Sequence, residues 1–326
     1  MSRKSKVTLN DLNVLPSTNF QTSPHLLFLL STNLSGLQAN VPRLPQQMKK
    51  VNVFVNVNIL LFELNLFGVR SKTLKAPFWL MNRHGNIDDI VEDVPLKRKS
   101  PEEALIQIAK NPFAKGVERV AFYGRDNSPY FFMARTTNVV FKEFAHEYKS
   151  GKSRRFEVAN HLQTIAAYLA NRFCEDLRRQ TGKRMTVEFL KTKTLIIKEE
   201  SGQNRYLACE KRFASDARFI RFTNNVNYTI LESKARELNV PLDYVELLMA
   251  FSHWTYKITD GMLMVVDLQG IVQKDANKTK IVLTDPAIHC IDSTRYGAMN
   301  LGRKGMDKFL ERHKCNVYCE GLKLNE

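Results

Sequence analysis

The polar and apolar positions fall into a mainly β first half and a more mixed second half. Val51, Val53, Val55, Val57 and Ile59 alternate with Asn52, Phe54, Asn56 and Asn58, the period-two pattern of a half-buried strand. Phe78 to Met81 and Ile87 to Val91 flank an Arg-His-Gly turn and read as a hairpin. Ser100-Pro101-Glu102-Glu103 has a capping Ser, a Pro at the first helical position and a Glu at the third; Ala104, Leu105 and Ile108 would give that helix its apolar face. Strands are expected at Arg119 to Tyr123 and Tyr130 to Ala134, joined by a Gly124-to-Pro129 turn, and at Val139 to Phe144, where Lys142 sits in an apolar setting. Val158 to Leu177 is a long amphipathic helix with Leu162, Ile165, Ala166, Leu169 and Phe173 on one stripe.

Further strands are expected at Val187 to Leu190, Thr194 to Ile197 and Tyr206 to Cys209. A second strong helix runs from Pro241 to about Tyr256, with Leu242, Val245, Met249 and Tyr256 inward. Leu263 to Asp267 is an apolar strand ending in a carboxylate, and a last helix spans about Arg303 to His313. This order fits an α+β, two-lobed enzyme. Residues 1–47, rich in Ser, Thr, Asn, Pro and Gln, read as an irregular leader. Residues 48–210 form the first lobe and 211–326 the second. There is no internal repeat.

Composition narrows the class. The longest early apolar run, Leu26 to Leu30, is too short to span a bilayer and lies too far in for a secretory signal. A soluble, cytoplasmic protein is expected. Five cysteines with one close pair do not make a disulfide framework. A net charge of +16 favours anionic partners: nucleotides, acidic proteins, anionic membranes or nucleic acid. No basic motif interleaved with aromatics marks a base-stacking surface, so specific nucleic-acid binding is not expected.

Two constellations carry chemistry. His313, Cys315 and Cys319 fall within seven residues, and zinc asks for four such donors in a tetrahedron. His253, four residues after Met249 on the inward side of its helix, is the best fourth ligand; His289 and Cys290 compete. The second is a pair of strand-end carboxylates, Asp267 followed by Gln269-Gly270, and Asp285 followed by Pro286. Phosphoryl transfer needs oxygen ligands for Mg²⁺, cations on the phosphates and a carboxylate facing the incoming hydroxyl. Asp267, Gln269 and Asp285, with Lys142 and Arg119, are of those types; aspartates are also common turn residues.

The wording of the second half resembles the alpha-kinase family of atypical protein kinases. The resemblance rests on Phe251-Ser252-His253-Trp254-Thr255-Tyr256, Asp267-Leu268-Gln269-Gly270, Leu283-Thr284-Asp285-Pro286, Tyr296 through Gly305, and the closing His313 to Cys319. It is dense from Ala250 to Leu324 and extends more thinly back to about residue 105, through Pro112 to Arg119, Val139 to Phe144 and Ala208-Cys209-Glu210. The Thr284-to-His289 wording is similar to the elongation-factor-2 kinase and myosin heavy chain kinase type.

The resemblance implies a two-lobed kinase with a zinc-stabilised C-terminal lobe that transfers phosphoryl from Mg·ATP to Ser/Thr hydroxyls of proteins. It implies that Lys142 and Arg119 hold phosphates, Glu210 approaches the adenine end, Asp267 orients or deprotonates the acceptor, and Gln269 and Asp285 hold Mg²⁺. Gly297, Gly302 and Gly305 would belong to a loop that places the peptide, and His253, His313, Cys315 and Cys319 would bind zinc. The alternative is a pseudokinase, a zinc-bearing scaffold. Two departures stand out: Arg221 where the family usually has Lys, and a polar insertion, Gln273 to Lys280, expected as a surface loop.

Overall fold

The computed structural model describes residues 73–325 apart from 82–83, 99–101, 117, 129–135, 146–151, 227–231, 238–239 and 276–277. The expected strand at Val51 to Ile59, the leader, the Ser100-Pro101 cap and the Tyr130-to-Ala134 strand lie outside these residues.

The chain opens with β1 (Leu74–Trp79) and the short helix α1 (Asp88–Val91). Residues 87–91 therefore do not pair with β1 as a hairpin. Asn86 Oδ1 accepts from the Asp89 amide at 2.7 Å, and Asp89 Oδ2 accepts from the amides of Gly85 and Asn86 at 3.0 and 3.2 Å. This reciprocal capping starts a helical turn and buries Ile90. The segment expected as a helix is instead β2 (Glu102–Ile108). Ala104 and Ile106, both 0% exposed, alternate on one face, and β2 pairs with β1 on one side and later with β4 on the other. Two partner strands supply more than the helix preference of Glu, Ala and Leu.

β3 (Ala114–Lys115), β4 (Arg119–Asp126), β5 (Thr137–Phe144), the helix α2 (Lys152–Thr181), β6 (Thr186–Phe189), β7 (Thr192–Lys198) and β8 (Asn204–Lys211) follow. Seven strands form one sheet in the order β2-β1-β7-β8-β5-β4-β3. Its apolar face holds Ala76, Phe78, Phe122, Val139, Phe141, Leu195 and Leu207. After β9 (Ile220–Arg221) come α3 (Glu232–Glu237), α4 (Leu242–Ile258), β10 (Leu263–Val266), β11 (Gln269–Asp275), β12 (Lys278–Thr284), β13 (Ala287–Cys290), α5 (Gly302–Arg312) and α6 (Val317–Gly321). β10 and β13 form a two-stranded sheet; β6, β12, β11 and β9 form a four-stranded one. The polar insertion is therefore no loose loop, because most of it extends the β11–β12 ladder.

The second core is larger. α2 is longer than expected, and its stripe of Ile165, Ala166, Leu169, Ala170, Phe173 and Leu177 is fully buried, at the helical i, i+3, i+4 spacing. α4 is buried on nearly all sides from Tyr244 to Thr255, although Leu242, expected inward, is exposed at its start. The two cores do not divide at residue 210. β6 pairs in parallel with β12, and the α2 stripe packs into the second core, so residues from the first half of the chain complete it. Among the described residues no helix is long and apolar enough to cross a membrane, and all five cysteines are free.

Candidate active site and metal centre

The site is built where two β-strands change sheets. β10 pairs with β13 through Val266↔Ala287, and β11 pairs with β12 through Gln269↔Thr284. Between these pairings both chains turn, and the turning residues are Asp267 (φ 57°) and Asp285 (φ 49°). Register alone therefore sets the two carboxylates side by side. Left-handed backbone is tolerated by Asp better than by most residues. β12 passes close to Gly270 of β11: a Cβ there would lie 2.0 Å from the Val282 carbonyl oxygen.

Lys142 reaches this corner from the large sheet. It lies on β5, between β4 and β8, and its Nζ donates to Asp285 Oδ2 at 2.6 Å, Glu210 Oε2 at 2.8 Å and Thr284 Oγ1 at 3.1 Å. Burial works against the ammonium charge, but Asp285 and Glu210 outweigh it and hold Lys142 above its ordinary value. Asp285 is held below the usual carboxylate range because Lys142, then Arg119, overcome the cost of its burial. Arg119 thus faces the corner as a second cation, its guanidinium 4.3 Å above the Phe144 ring.

Glu210, which the resemblance implied would approach the adenine end, is held beside Lys142. Oε2 accepts from Lys142 and from Thr284 Oγ1 (2.7 Å), and Oε1 accepts from Thr192 Oγ1 at 2.9 Å. Both oxygens of this buried carboxylate are committed to fixing the lysine. Thr192 and Thr284 were not singled out in the sequence, although Thr284 adjoins Asp285 in its motif.

Asp267 is clamped by the departure residue. Arg221 donates from Nε to Oδ1 at 3.0 Å and from Nη2 to Oδ2 at 3.1 Å, a two-point grip that lysine lacks. The segment carrying it is pinned beside the corner, since Phe222 and Thr223 donate amides to the Leu268 carbonyl and the Leu268 amide donates to Thr223 Oγ1. Burial pushes the Asp267 carboxyl up to about 6 despite the opposing pull of Arg221. Gln269 turns its Nε2 toward the Asp285 carbonyl at 3.3 Å, leaving the amide oxygen as a further hard donor near the pair.

The glycine-bearing loop closes one side. Tyr296 and Gly297 adopt left-handed backbone (φ 64° and 77°). His289, 0% exposed, holds the loop to the segment after Arg221: its Nε2 meets the Asn225 carbonyl at 3.2 Å and its Nδ1 accepts from the Leu301 amide at 3.1 Å. These partners fix the neutral tautomer with the proton on Nε2. Gly305 lies against the same ring; a Cβ there would come 2.7 Å from it. His289 is thereby committed to the loop.

The expected metal donors come together at the other end of α4. His253, His313, Cys315 and Cys319 place one ligand atom each within 4.8 Å of one another. His253 Nδ1 lies 3.7 Å from Cys315 Sγ, and His313 Nε2 lies 3.3 Å from Cys319 Sγ. Ligands on one tetrahedral zinc stand roughly 3.3–3.8 Å apart, so the set fits that ion with small adjustment. Asn316 arranges the chain, its Oδ1 accepting from the Tyr318 and Cys319 amides to start α6. Burial first, then His313 and Lys257, pull His253 down to about 4, which leaves the neutral imidazole that a metal requires.

Comparison with known proteins identifies the family. Residues 114–319 match the Alpha-kinase family. The alpha-protein kinase vwkA of Dictyostelium discoideum is 33% identical over 221 residues, covering 67% of this chain and 31% of that protein. Myosin heavy chain kinase A of the same organism is 24% identical over 318 residues, 96% of this chain and 25% of the kinase. The chain thus spans a third or less of these relatives' length. In structure it is similar to the alpha-kinase domain of myosin heavy chain kinase A in complex with AMP, with a TM-score of 0.56 and 21% identity over 77% of this chain and 99% of that one. With the matched segment running unbroken from the strand before Arg119 through Cys319, the last cysteine of the His/Cys cluster, the chain belongs to the alpha-kinase family.

Proposed function

We propose that this chain is a Mg·ATP-dependent protein kinase that phosphorylates Ser or Thr hydroxyls, with a structural zinc in its C-terminal part. The observation that carries the reading is the buried Lys142–Glu210 pair with the partly exposed Asp285 beside it, which joins the large sheet to the corner bearing Asp267. A cation held at 2.6 Å from one carboxylate and 2.8 Å from another, with an arginine nearby, is a cradle for a polyphosphate and its metal.

In this mechanism Lys142 exchanges its bond to Asp285 for the nucleotide phosphates, while Glu210 and Thr284 keep it aimed. Arg119 adds a second positive charge. Asp285 and the Gln269 amide oxygen are the hard oxygen ligands suited to Mg²⁺, which when bound neutralises charge on the β- and γ-phosphates. Asp267 accepts the hydrogen bond of the substrate hydroxyl and takes its proton as phosphoryl transfer proceeds. Arg221 holds that carboxylate in one orientation. Four donors at the zinc cluster leave no open position, so its role is to tie α4 to the chain after α5.

Incubation with Mg·ATP and a mixed Ser/Thr/Tyr peptide library tests the reading. Phosphate is expected on Ser and Thr, with at least a hundredfold loss in Asp267→Asn. Wild-type protein that transfers none, or an Asp267→Asn protein that transfers as much, would refute it.

A further inference from the structure

Arg295 is the most heavily used buried cation outside the phosphate corner. Its side chain is 8% exposed. Nη2 donates to the Ile90 carbonyl at 2.6 Å, Nη1 to the Val91 carbonyl at 3.2 Å, and Nη2 also meets Asp93 Oδ1 at 3.0 Å and the Tyr296 hydroxyl. The guanidinium carbon stands 4.8 Å above the Tyr296 ring. One side chain therefore joins the C-terminal carbonyls of α1 to the first residue of the glycine-bearing loop, more than 200 positions along the chain. Carbonyls at a helix end carry partial negative charge and lack intrahelical partners, so a cation fits there. Asp93 completes the bond by adopting left-handed backbone (φ 58°) just past α1.

The other anchors of the loop lie on its far side. Asn300 Oδ1 accepts from the Cys290 and Gly302 amides, its Nδ2 donates to the Asp292 and Arg295 carbonyls, and His289 receives the Leu301 amide. Arg295 thus holds the leading edge of the loop, residues 296–297, while Asn300 and His289 hold its trailing edge. The α1 segment is itself seated on α2, where His84 Nε2 lies 3.4 Å from His161 Nε2. The bond is made at a cost: Arg295 Nε is buried without an acceptor, a defect that native structures tolerate where the remaining contacts outweigh it.

We infer that Arg295 is a positioning residue for the protein substrate: it fixes the leading edge of the glycine-bearing loop against the α1 segment, so that residues 84–95, upstream of the family-matched region, form part of the peptide-acceptance apparatus. This rests on the kinase reading above and on the peptide-placing role that the resemblance implies for the loop. Arg295 touches neither Lys142 nor Asp285, so its loss should leave the nucleotide in place and misplace the peptide.

The test is Arg295→Met, which keeps volume and removes all the polar contacts, with Tyr296→Phe, which removes one hydroxyl. At saturating Mg·ATP the peptide KM of Arg295→Met is expected to rise tenfold or more, with the ATP KM within twofold of wild type. Tyr296→Phe should move the same way by less. In native-state hydrogen exchange, the amide of Asn300, which donates to the Gly297 carbonyl at the leading edge, and those of Glu92 and Val94 beyond α1 should exchange faster together in Arg295→Met. An unchanged peptide KM, an ATP KM rising in step with it, or faster exchange confined to the loop would overturn the inference. If Arg295→Met does not fold, Tyr296→Phe with unchanged peptide KM overturns it. Wild-type protein without phosphoryl transfer would refute the kinase reading and, with it, the peptide role; the strut would still be decided by exchange at the two segments.

Discussion

Replacing Asp267 by Asn should make this protein a poor catalyst and a more stable one. Asp267 is 4% exposed, and burial moves its carboxyl from about 3.8 to about 6 even with Arg221 attached. A displacement of about two pH units is worth ~3 kcal/mol between the protonation states. Because the folded-state value is raised, the folded protein binds the proton more tightly than the unfolded chain. Stability from this site is thus fully present below about pH 3.8 and lost as pH rises through about 6. Asn resembles the protonated carboxyl, keeps one acceptor for Arg221 and tolerates the left-handed corner, so the variant should escape this loss.

At pH 7.5 Asp267→Asn should gain ~2–3 kcal/mol, or ~4–12 °C in midpoint at ~2–4 °C per kcal/mol for a domain of this size. At pH 4 the two proteins should unfold together. Paired thermal melts at several pH values read the difference, and contributions from the metal cluster cancel in it. A variant less stable than wild type at pH 7.5, or equally active, would refute the reasoning: it would mean that the Arg221 pair stabilises the ionised carboxylate more than burial penalises it.

Gly305→Ala should lower stability by ~1–3 kcal/mol, since its methyl would meet the buried His289 ring at 2.7 Å; an unchanged unfolding midpoint would show that the ring moves freely. Lys142→Met should weaken Mg·ATP binding by ~10–100-fold, the worth of one charge-assisted contact; calorimetric titration giving the wild-type affinity would remove the lysine from the cradle. Freshly purified protein should contain one zinc per chain, and chelation or Cys319→Ser should lower the thermal midpoint by several degrees; protein free of zinc by elemental analysis would eliminate the metal claim.

Much of the site was legible because its determinants are local. The apolar setting of Lys142 marked its strand, the i, i+3, i+4 stripe marked α2, and Cys315 and Cys319 lie close enough to His313 for their grouping to be read directly. The misreadings share one cause, long-range pairing. Glu102–Ile108 has a helix-starting composition, and only β1 and β4 on either side make it a strand. Polar residues 273–280 suggested a loop, yet 273–275 pair with 278–280 in the β11–β12 ladder. The fixing of Glu210 was not legible, because its two threonine partners come from strands 18 and 74 residues away. Arg221 was flagged as a departure, but its grip on Asp267 depends on the Leu268 contacts that dock β9.

The long helix α2 has a mechanical consequence. Near its start Phe156 packs on Phe144 and Tyr206 of the large sheet, ring centroids 4.9 and 5.9 Å away. Two-thirds of the way along, Phe173 packs edge-on against Phe251 and Trp254 of α4. A rod of 30 residues, about 45 Å long, is thus bolted at separate points to the large sheet and to α4. A wide separation of the large sheet from α4 would tear one of those aromatic joints out of its packing, so on the kinase reading proposed above nucleotide exchange should proceed through small torsions about this axle, the Lys142–Asp285 bond being the one that phosphate would displace.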